Sequence, residues 1–182
     1  MTIRSVFLVG MMGVGKSTVG RALARRLGWD FIDLDHEIES ATGVRIPVIF
    51  EIEGEQGFRR RESQILASLM NRQRMVLATG GGAVIDPANR ALLRESGHVV
   101  YLKASVEDLY MRTKADKSRP LLQTDNPRER IAGLLRDREA FYEDVASLQV
   151  NTGKQPVGQI AHNIAVSLGL TSINPESSGH EH

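Results

Sequence analysis

Gly10-Met11-Met12-Gly13-Val14-Gly15-Lys16-Ser17 is the stretch best equipped for chemistry, and it fits the pattern G-x-x-x-x-G-K-[ST]. It follows an apolar run at residues 6–9 and precedes a helical period over residues 17–27, which is the setting in which this pattern cradles phosphate. Glycines at these positions let backbone N–H groups turn inward on a phosphate chain at a helix N-terminus, where the dipole also favours negative charge. Lys16 is then placed to reach the β- and γ-phosphates as a point charge, and the Ser17 hydroxyl to meet Mg²⁺. A dinucleotide-binding loop also follows a first strand. Here, however, the spacing is Gly10-x-x-Gly13-x-Gly15, and a lysine stands where that loop needs a neutral helix start.

GTPase switches, motor ATPases and small-molecule kinases share such a loop and differ in the segments downstream of it. Thr113-Lys114-Ala115-Asp116 resembles a guanine-reading T-K-x-D, but it comes after a helical stretch rather than a strand, and no D-x-x-G precedes it. A motor-type ATPase needs an apolar strand ending in Asp, whereas the third apolar run ends Ala78-Thr79-Gly80-Gly81-Gly82 and the fourth ends Leu102-Lys103. The one acidic strand end is Asp33-Leu34-Asp35. Strand alternation aims both carboxylates the same way from the carboxyl edge of the sheet, where open α/β sheets bind ligands. One aspartate then helps hold Mg²⁺ through water and the other accepts a proton from a hydroxyl being phosphorylated. The other reading of the pair is a solvated strand end that caps the next helix. Three consecutive glycines cost conformational entropy and supply no packing, so Gly80, Gly81 and Gly82 point to close backbone approach to a ligand.

The elements that must position these residues alternate as strand, turn and helix, the pattern of a mostly parallel sheet covered on both faces. Strands are predicted at 6–9, 29–33, 75–79, 98–102 and 147–150. Helices are predicted at 17–27, 36–42, 47–53, 56–71, 87–95, 106–113, 127–145 and 157–168, the last with Val157, Ile160, Ala161, Ile164, Ala165 and Leu168 on one face. Two departures stand out. Residues 35–71 form a long helical insertion between the second and third strands, and residues 114–126 are polar, contain proline and lack a period, as functional loops do.

Six motifs in this order resemble shikimate kinases: the phosphate loop through Thr18, Asp33-Leu34-Asp35, Gly54 to Glu62 with Phe58 and Arg59, Gly80-Gly81-Gly82, Arg119-Pro120-Leu121-Leu122, and Arg138 to Tyr142. The resemblance runs over about residues 3–169. It implies an α/β, three-layer P-loop kinase fold of the nucleoside-monophosphate-kinase-like type. The sheet is then five-stranded, parallel and of order 2-3-1-4-5, with a substrate-binding insertion at about 35–72 and a lid at about 114–126, all in one domain at 1–170. It implies ATP-dependent phosphorylation of the 3-hydroxyl of shikimate, in aromatic amino acid biosynthesis via chorismate. Carried over, Asp35, Arg59, Gly80, Gly81, Gly82 and Arg138 bind shikimate. Gly13, Val14, Gly15, Lys16, Ser17, Thr18 and Arg119 hold the nucleotide phosphates, Arg112 with Lys154 or Gln155 flanks the adenine, and Lys16, Asp35 and Arg119 serve catalysis. Ser17 ligates Mg²⁺, with Asp33 nearby through water.

The residue types agree with that implication, since two guanidiniums suit a carboxylate and an aspartate suits hydroxyls. Glu62, three residues after Arg59 on one helix face, is placed to hold that guanidinium. Arg60 and Arg61 read as solvated residues or partners of Glu62, and Phe50 and Phe58 either line the substrate ring or pack in the core. The alternatives are another small-molecule P-loop kinase, such as a gluconate kinase, or a kinase-like regulatory module. Retention of Lys16, Ser17, Asp33, Asp35 and Arg119 disfavours the module.

Composition bounds the rest. The 182 residues are 41% hydrophobic and 25% charged, without cysteine and with a net charge of +1, so nucleic acid and membrane are not expected as partners. No signal-peptide layout or membrane-length apolar run is visible, so a cytoplasmic location is expected. Without sustained heptads the chain is expected to be a monomer, and residues 171–182 read as a disordered tail. Of 23 cations 18 are arginine, the side chain that grips carboxylate and phosphate bidentately.

Overall fold

In the computed structural model, which describes residues 4–170, five short segments form the strands β1 Ser5–Val9, β2 Asp30–Asp33, β3 Met75–Ala78, β4 Gly97–Lys103 and β5 Leu148–Asn151. They pair in parallel in the order β2-β3-β1-β4-β5. Every residue of β1 and β3 is buried, as required of central strands covered on both faces. The tail expected to be disordered lies outside the described residues.

Among the described residues there are seven α-helices: α1 Lys16–Leu27, α2 Leu34–Thr42, α3 Ile46–Leu69, α4 Pro87–Ser96, α5 Val106–Thr113, α6 Pro127–Val145 and α7 Val157–Ser167. The crossover through α1 runs from β1 toward β2, and the crossover through α4 runs the other way, from β3 to β4. Crossovers of this kind are right-handed, so the reversal sets α1 and α4 on opposite faces. α7 packs on α1 and α6 on α4, which completes three layers. The reversal also opens a crevice at the carboxyl edge between β1 and β3, where such sheets bind ligands. Register aligns Leu8 with Ala78, and both the N–H and the hydroxyl of Thr79 donate to the Leu8 carbonyl, at 3.1 and 2.9 Å. The loops after β1 and β3 are thereby locked side by side.

Three local features differ from the sequence expectation. α2 begins at Leu34 rather than at 36, because the Asp33 side chain accepts the His36 N–H at 3.2 Å as an N-cap. Asp35 therefore sits in the first turn of a helix, and its nearness to Asp33 comes from that turn and not from strand alternation. The predicted helices 47–53 and 56–71 form one element, α3, broken at Gly54, whose φ of 71° and ψ of −177° suit only glycine. Across that break Arg61 pairs with Glu53 at 2.8 and 2.6 Å, rather than with Glu62. Finally, one-turn 3-10 helices occupy Ala83–Ile85, just after the glycine triad, and Pro120–Leu122 inside the predicted aperiodic loop. Among the described residues, no helix is long and apolar enough to cross a membrane.

Candidate active site

Gly10, Gly13 and Gly15 all have positive φ, and a side chain at Gly10 would run into the Leu102 carbonyl. The loop they shape wraps the N-terminus of α1. Lys16 Nζ donates to the carbonyls of Gly10 at 2.6 Å and Met11 at 3.0 Å, inside the curve of its own loop. Burial pushes the Lys16 ammonium down to about 7, a shift that Asp35 opposes. The Ser17 hydroxyl donates to Asp33 Oδ2 at 2.6 Å.

Arg112, at the end of α5, ties this loop to the turn after β5. Its Nη1 donates to the Val14 carbonyl at 3.0 Å and its Nη2 to the Gly153 carbonyl at 3.2 Å. Gln155 lines the same side of the crevice, whereas Lys154 is exposed and not part of its wall.

The glycine triad is where the second half of the site converges. A methyl group at Gly80 would stand 2.8 Å from Glu62 Oε2 and 3.2 Å from Asp35 Oδ1. One at Gly81 would stand 3.4 Å from both Arg138 Nη1 and the Met12 nitrogen, and one at Gly82 would overlap the Arg59 guanidinium. Three glycines in a row thus leave room for an aspartate, a glutamate and two arginines drawn from α2, α3 and α6. Arg59 Nη1 pairs with Glu62 Oε1 at 3.0 Å, the pairing that their spacing on one helix face suggests. Glu62 is fully buried; burial pushes its carboxyl up, and Arg59 counters. Burial and then Asp33 push the Asp35 carboxyl up as well, against Lys16 and Arg119.

Arg138 is 3% exposed, and its Nη1, like Glu62 Oε2, Arg59 Nε and Arg119 Nε, is buried with no hydrogen-bond partner in the protein. Orphaned buried polar atoms are costly, so four of them on residues around one hollow mark a surface built for a polar guest. The hollow is a single cavity of about 820 Å³ that runs from Gln155 past the phosphate loop to Phe50 and Phe58. Every residue from Gly13 to Thr18 lines it, as do Asp33, Asp35, Arg59, the three glycines, Arg112, Arg119 and Arg138. The two phenylalanine rings meet at a tilt of 36° with centroids 4.8 Å apart, and Phe58 both packs in the core and forms part of the wall.

Sequence reasoning gave no role to several supports. The fully buried Tyr142 donates its hydroxyl to the Gly81 carbonyl and stacks on Tyr101, with centroids 5.0 Å apart. The signal was there: Tyr142 comes four residues after Arg138 and so shares its helix face. Asn89 and Arg90, on α4, hold the carbonyls of Ala83 and Val84 at 3.0 and 2.6 Å and fix the turn after the triad. Nothing in their local sequence marks that role, because the carbonyls they meet belong to another element.

A parallel sheet of order 2-3-1-4-5, a phosphate loop at the central strand and an arginine-rich hollow beside it define a P-loop kinase of the nucleoside-monophosphate-kinase-like type. Residues 12–168 match the family model described as shikimate kinase. A shikimate kinase from Ralstonia nicotianae is 54% identical over 173 residues, covering 95% of this chain and 91% of that protein. The solved shikimate kinase from Acinetobacter baumannii, described as a complex with shikimate, superposes with a TM-score of 0.90 at 47% identity over 92% of this chain and 94% of that one. The chain belongs to the shikimate kinase family. A gluconokinase from Sinorhizobium meliloti, 21% identical and covering 91% of each chain at a TM-score of 0.61, shares the fold.

Proposed function

We propose that this protein transfers the γ-phosphoryl group of ATP to the 3-hydroxyl of shikimate, acting as a cytoplasmic monomer on two small molecules. The observation that carries the reading is the convergence of Arg59, Arg138 and Asp35 on the glycine triad, in the same cavity as the phosphate loop. Two guanidiniums match the one carboxylate of shikimate, and an aspartate matches its hydroxyls.

In this reading the backbone N–H groups of Gly13 to Thr18 and the Lys16 ammonium cradle the phosphates, with Lys16 exchanging its loop carbonyls for phosphate oxygens. Arg112 and Gln155 flank the base. Ser17 and Asp33 fit Mg²⁺, since a hydroxyl and a carboxylate oxygen 2.6 Å apart are the hard donors this ion takes from protein when phosphates and water complete its shell. The ion, when bound, neutralises phosphate charge. Asp35 accepts a hydrogen bond from the 3-hydroxyl and aims its oxygen at the γ-phosphorus. A new P–O bond forms as the bond to the ADP oxygen breaks, and the hydroxyl proton passes late to Asp35. Because the transition state is loose, positioning and charge neutralisation supply most of the rate. Arg119 meets the charge on the transferred group, and the lid excludes water that would otherwise make the enzyme an ATPase.

A coupled assay of ATP turnover with shikimate, with gluconate and with neither tests the reading. Turnover with shikimate alone is expected; turnover with gluconate, or nucleotide binding without turnover, overturns it. Arg138→Ala is expected to raise KM for shikimate by about 100-fold, the worth of one charge-assisted contact, with KM for ATP unchanged in the same assay.

A further inference from the structure

Asp116 belongs to neither the phosphate loop nor the substrate hollow. Within Thr113-Lys114-Ala115-Asp116 it mimics a base-reading aspartate, yet its carboxylate is engaged inside the lid. Oδ1 accepts the Ser118 N–H at 2.9 Å and the Ser118 hydroxyl, while Oδ2 lies 2.9 Å from Arg119 Nε. The Asp116 N–H donates to the Thr113 carbonyl at 3.0 Å, which anchors this turn on the end of α5. From the far side, Gln123 Nε2 donates to the Lys117 carbonyl at 3.1 Å. The Ser118 hydroxyl and N–H, with Arg119 adding to them, hold the Asp116 carboxyl below its ordinary range. Arg119 is thus ion-paired at Nε, the inner nitrogen of its fork, without a directed N–H bond, and it lines the cavity with Lys16 and Asp35.

We infer that Asp116 is a positioning residue for phosphoryl transfer: its ion pair at Arg119 Nε, on the braced Asp116–Ser118 turn, steers the side chain so that the two terminal nitrogens are presented to the transferred phosphate. The inference rests on the proposed role of Arg119. A long arginine side chain on an unbraced loop must surrender its rotamer freedom at every turnover, and one paired at Nε has already given up part of it. The contrary arrangement is a decoy, in which Asp116 competes with phosphate for the guanidinium. The two predict opposite signs when the carboxylate is removed.

The test is steady-state kinetics with equilibrium ATP binding on the wild-type chain, Asp116→Ala, Ser118→Ala, Arg119→Ala and the double variant Asp116→Ala/Arg119→Ala. Asp116→Ala is expected to lower kcat about tenfold, with both KM values within about twofold, and Ser118→Ala to lower it less. In the Arg119→Ala background, removal of Asp116 is expected to change nothing further, which a general loosening of the lid would not reproduce. Asp116→Asn keeps one acceptor and checks the sign if the alanine variant is unstable. An unchanged or raised kcat in Asp116→Ala beside an impaired Arg119→Ala overturns this inference alone, as do multiplicative effects in the double variant. Full turnover in Arg119→Ala overturns the reading of Arg119 and this inference with it.

Discussion

Asp35→Asn is expected to lower kcat by about 10³-fold, within the range that a positioned acid or base contributes, while ATP binding stays near the wild-type value. Asp35 stands in the first turn of α2, with Oδ1 against Gly80 and its charge felt at Lys16. Asparagine fills the same space and is tolerated in that turn, so the fold should persist. What it removes is the anionic acceptor that, in the proposed mechanism, orients the hydroxyl and takes its proton late. An amide can also turn its NH₂ toward that hydroxyl, leaving the nucleophile without an acceptor. The measurement is turnover at saturating shikimate beside an equilibrium titration with ATP. Intact turnover removes Asp35 from the mechanism; a parallel loss of ATP binding makes its role nucleotide binding instead.

Arg119→Ala is expected to depress phosphoryl transfer by about 10³-fold, the scale on which an arginine stabilises charge on a transferred phosphoryl group. ATP affinity should fall by no more than about threefold, because the phosphate loop supplies most of the ground-state contact. An interaction made chiefly in the transition state lowers kcat and kcat/KM together and leaves binding almost untouched. Arg119 suits that behaviour. It stands next to the 3-10 turn Pro120–Leu122, about one-third exposed, and its charge reaches both Lys16 and Asp35. Single-turnover transfer beside ATP binding separates the two quantities. Unchanged transfer counts against the lid assignment, and equal losses in both make Arg119 a simple ligand of ATP.

The near-neutral charge of the chain, +1, conceals how its cations are arranged. Lys16, Arg59, Arg112, Arg119 and Arg138 are scattered over more than 120 residues, yet they line one cavity of about 820 Å³. The arginine excess was the informative part of the composition, because only forked cations can grip both a carboxylate and a phosphate from several directions.

Local order carried much of this into the sequence. The phosphate loop is legible because its function needs contiguous residues: glycines at positive φ, then a lysine and a serine at the start of a helix. Helices α5 and α6 are legible to the residue, since Ser105 and Asn126 cap them by bonding the N–H of Asp108 and Glu129, each three residues on. Three glycines in succession announced a close approach. The sheet order came into view through resemblance to a known family, not through periodicity, because strand pairing is a contact between segments far apart in the chain.

Only the tertiary structure decided which groups meet at that triad and what holds them. Asp33 and Asp35 share an edge through a capped helical turn, where alternation along a strand had been expected. Glu62, a charged residue on a long helix, is driven to full burial because the same packing that brings Arg59 to Gly82 closes water off from it. Tyr142 reaches the Gly81 carbonyl across 61 positions of sequence. Asp116, read locally, looked like part of a base-reading motif, and its two carboxylate oxygens turn out to meet Ser118 and Arg119. The physical reason is common to these cases. Loop shape, capping and helix period are set by neighbours within about four residues, and the sequence displays them directly. Burial and long-range polar partners depend on how the sheet and its covering helices come together, and no local stretch of the chain contains both halves of the contact.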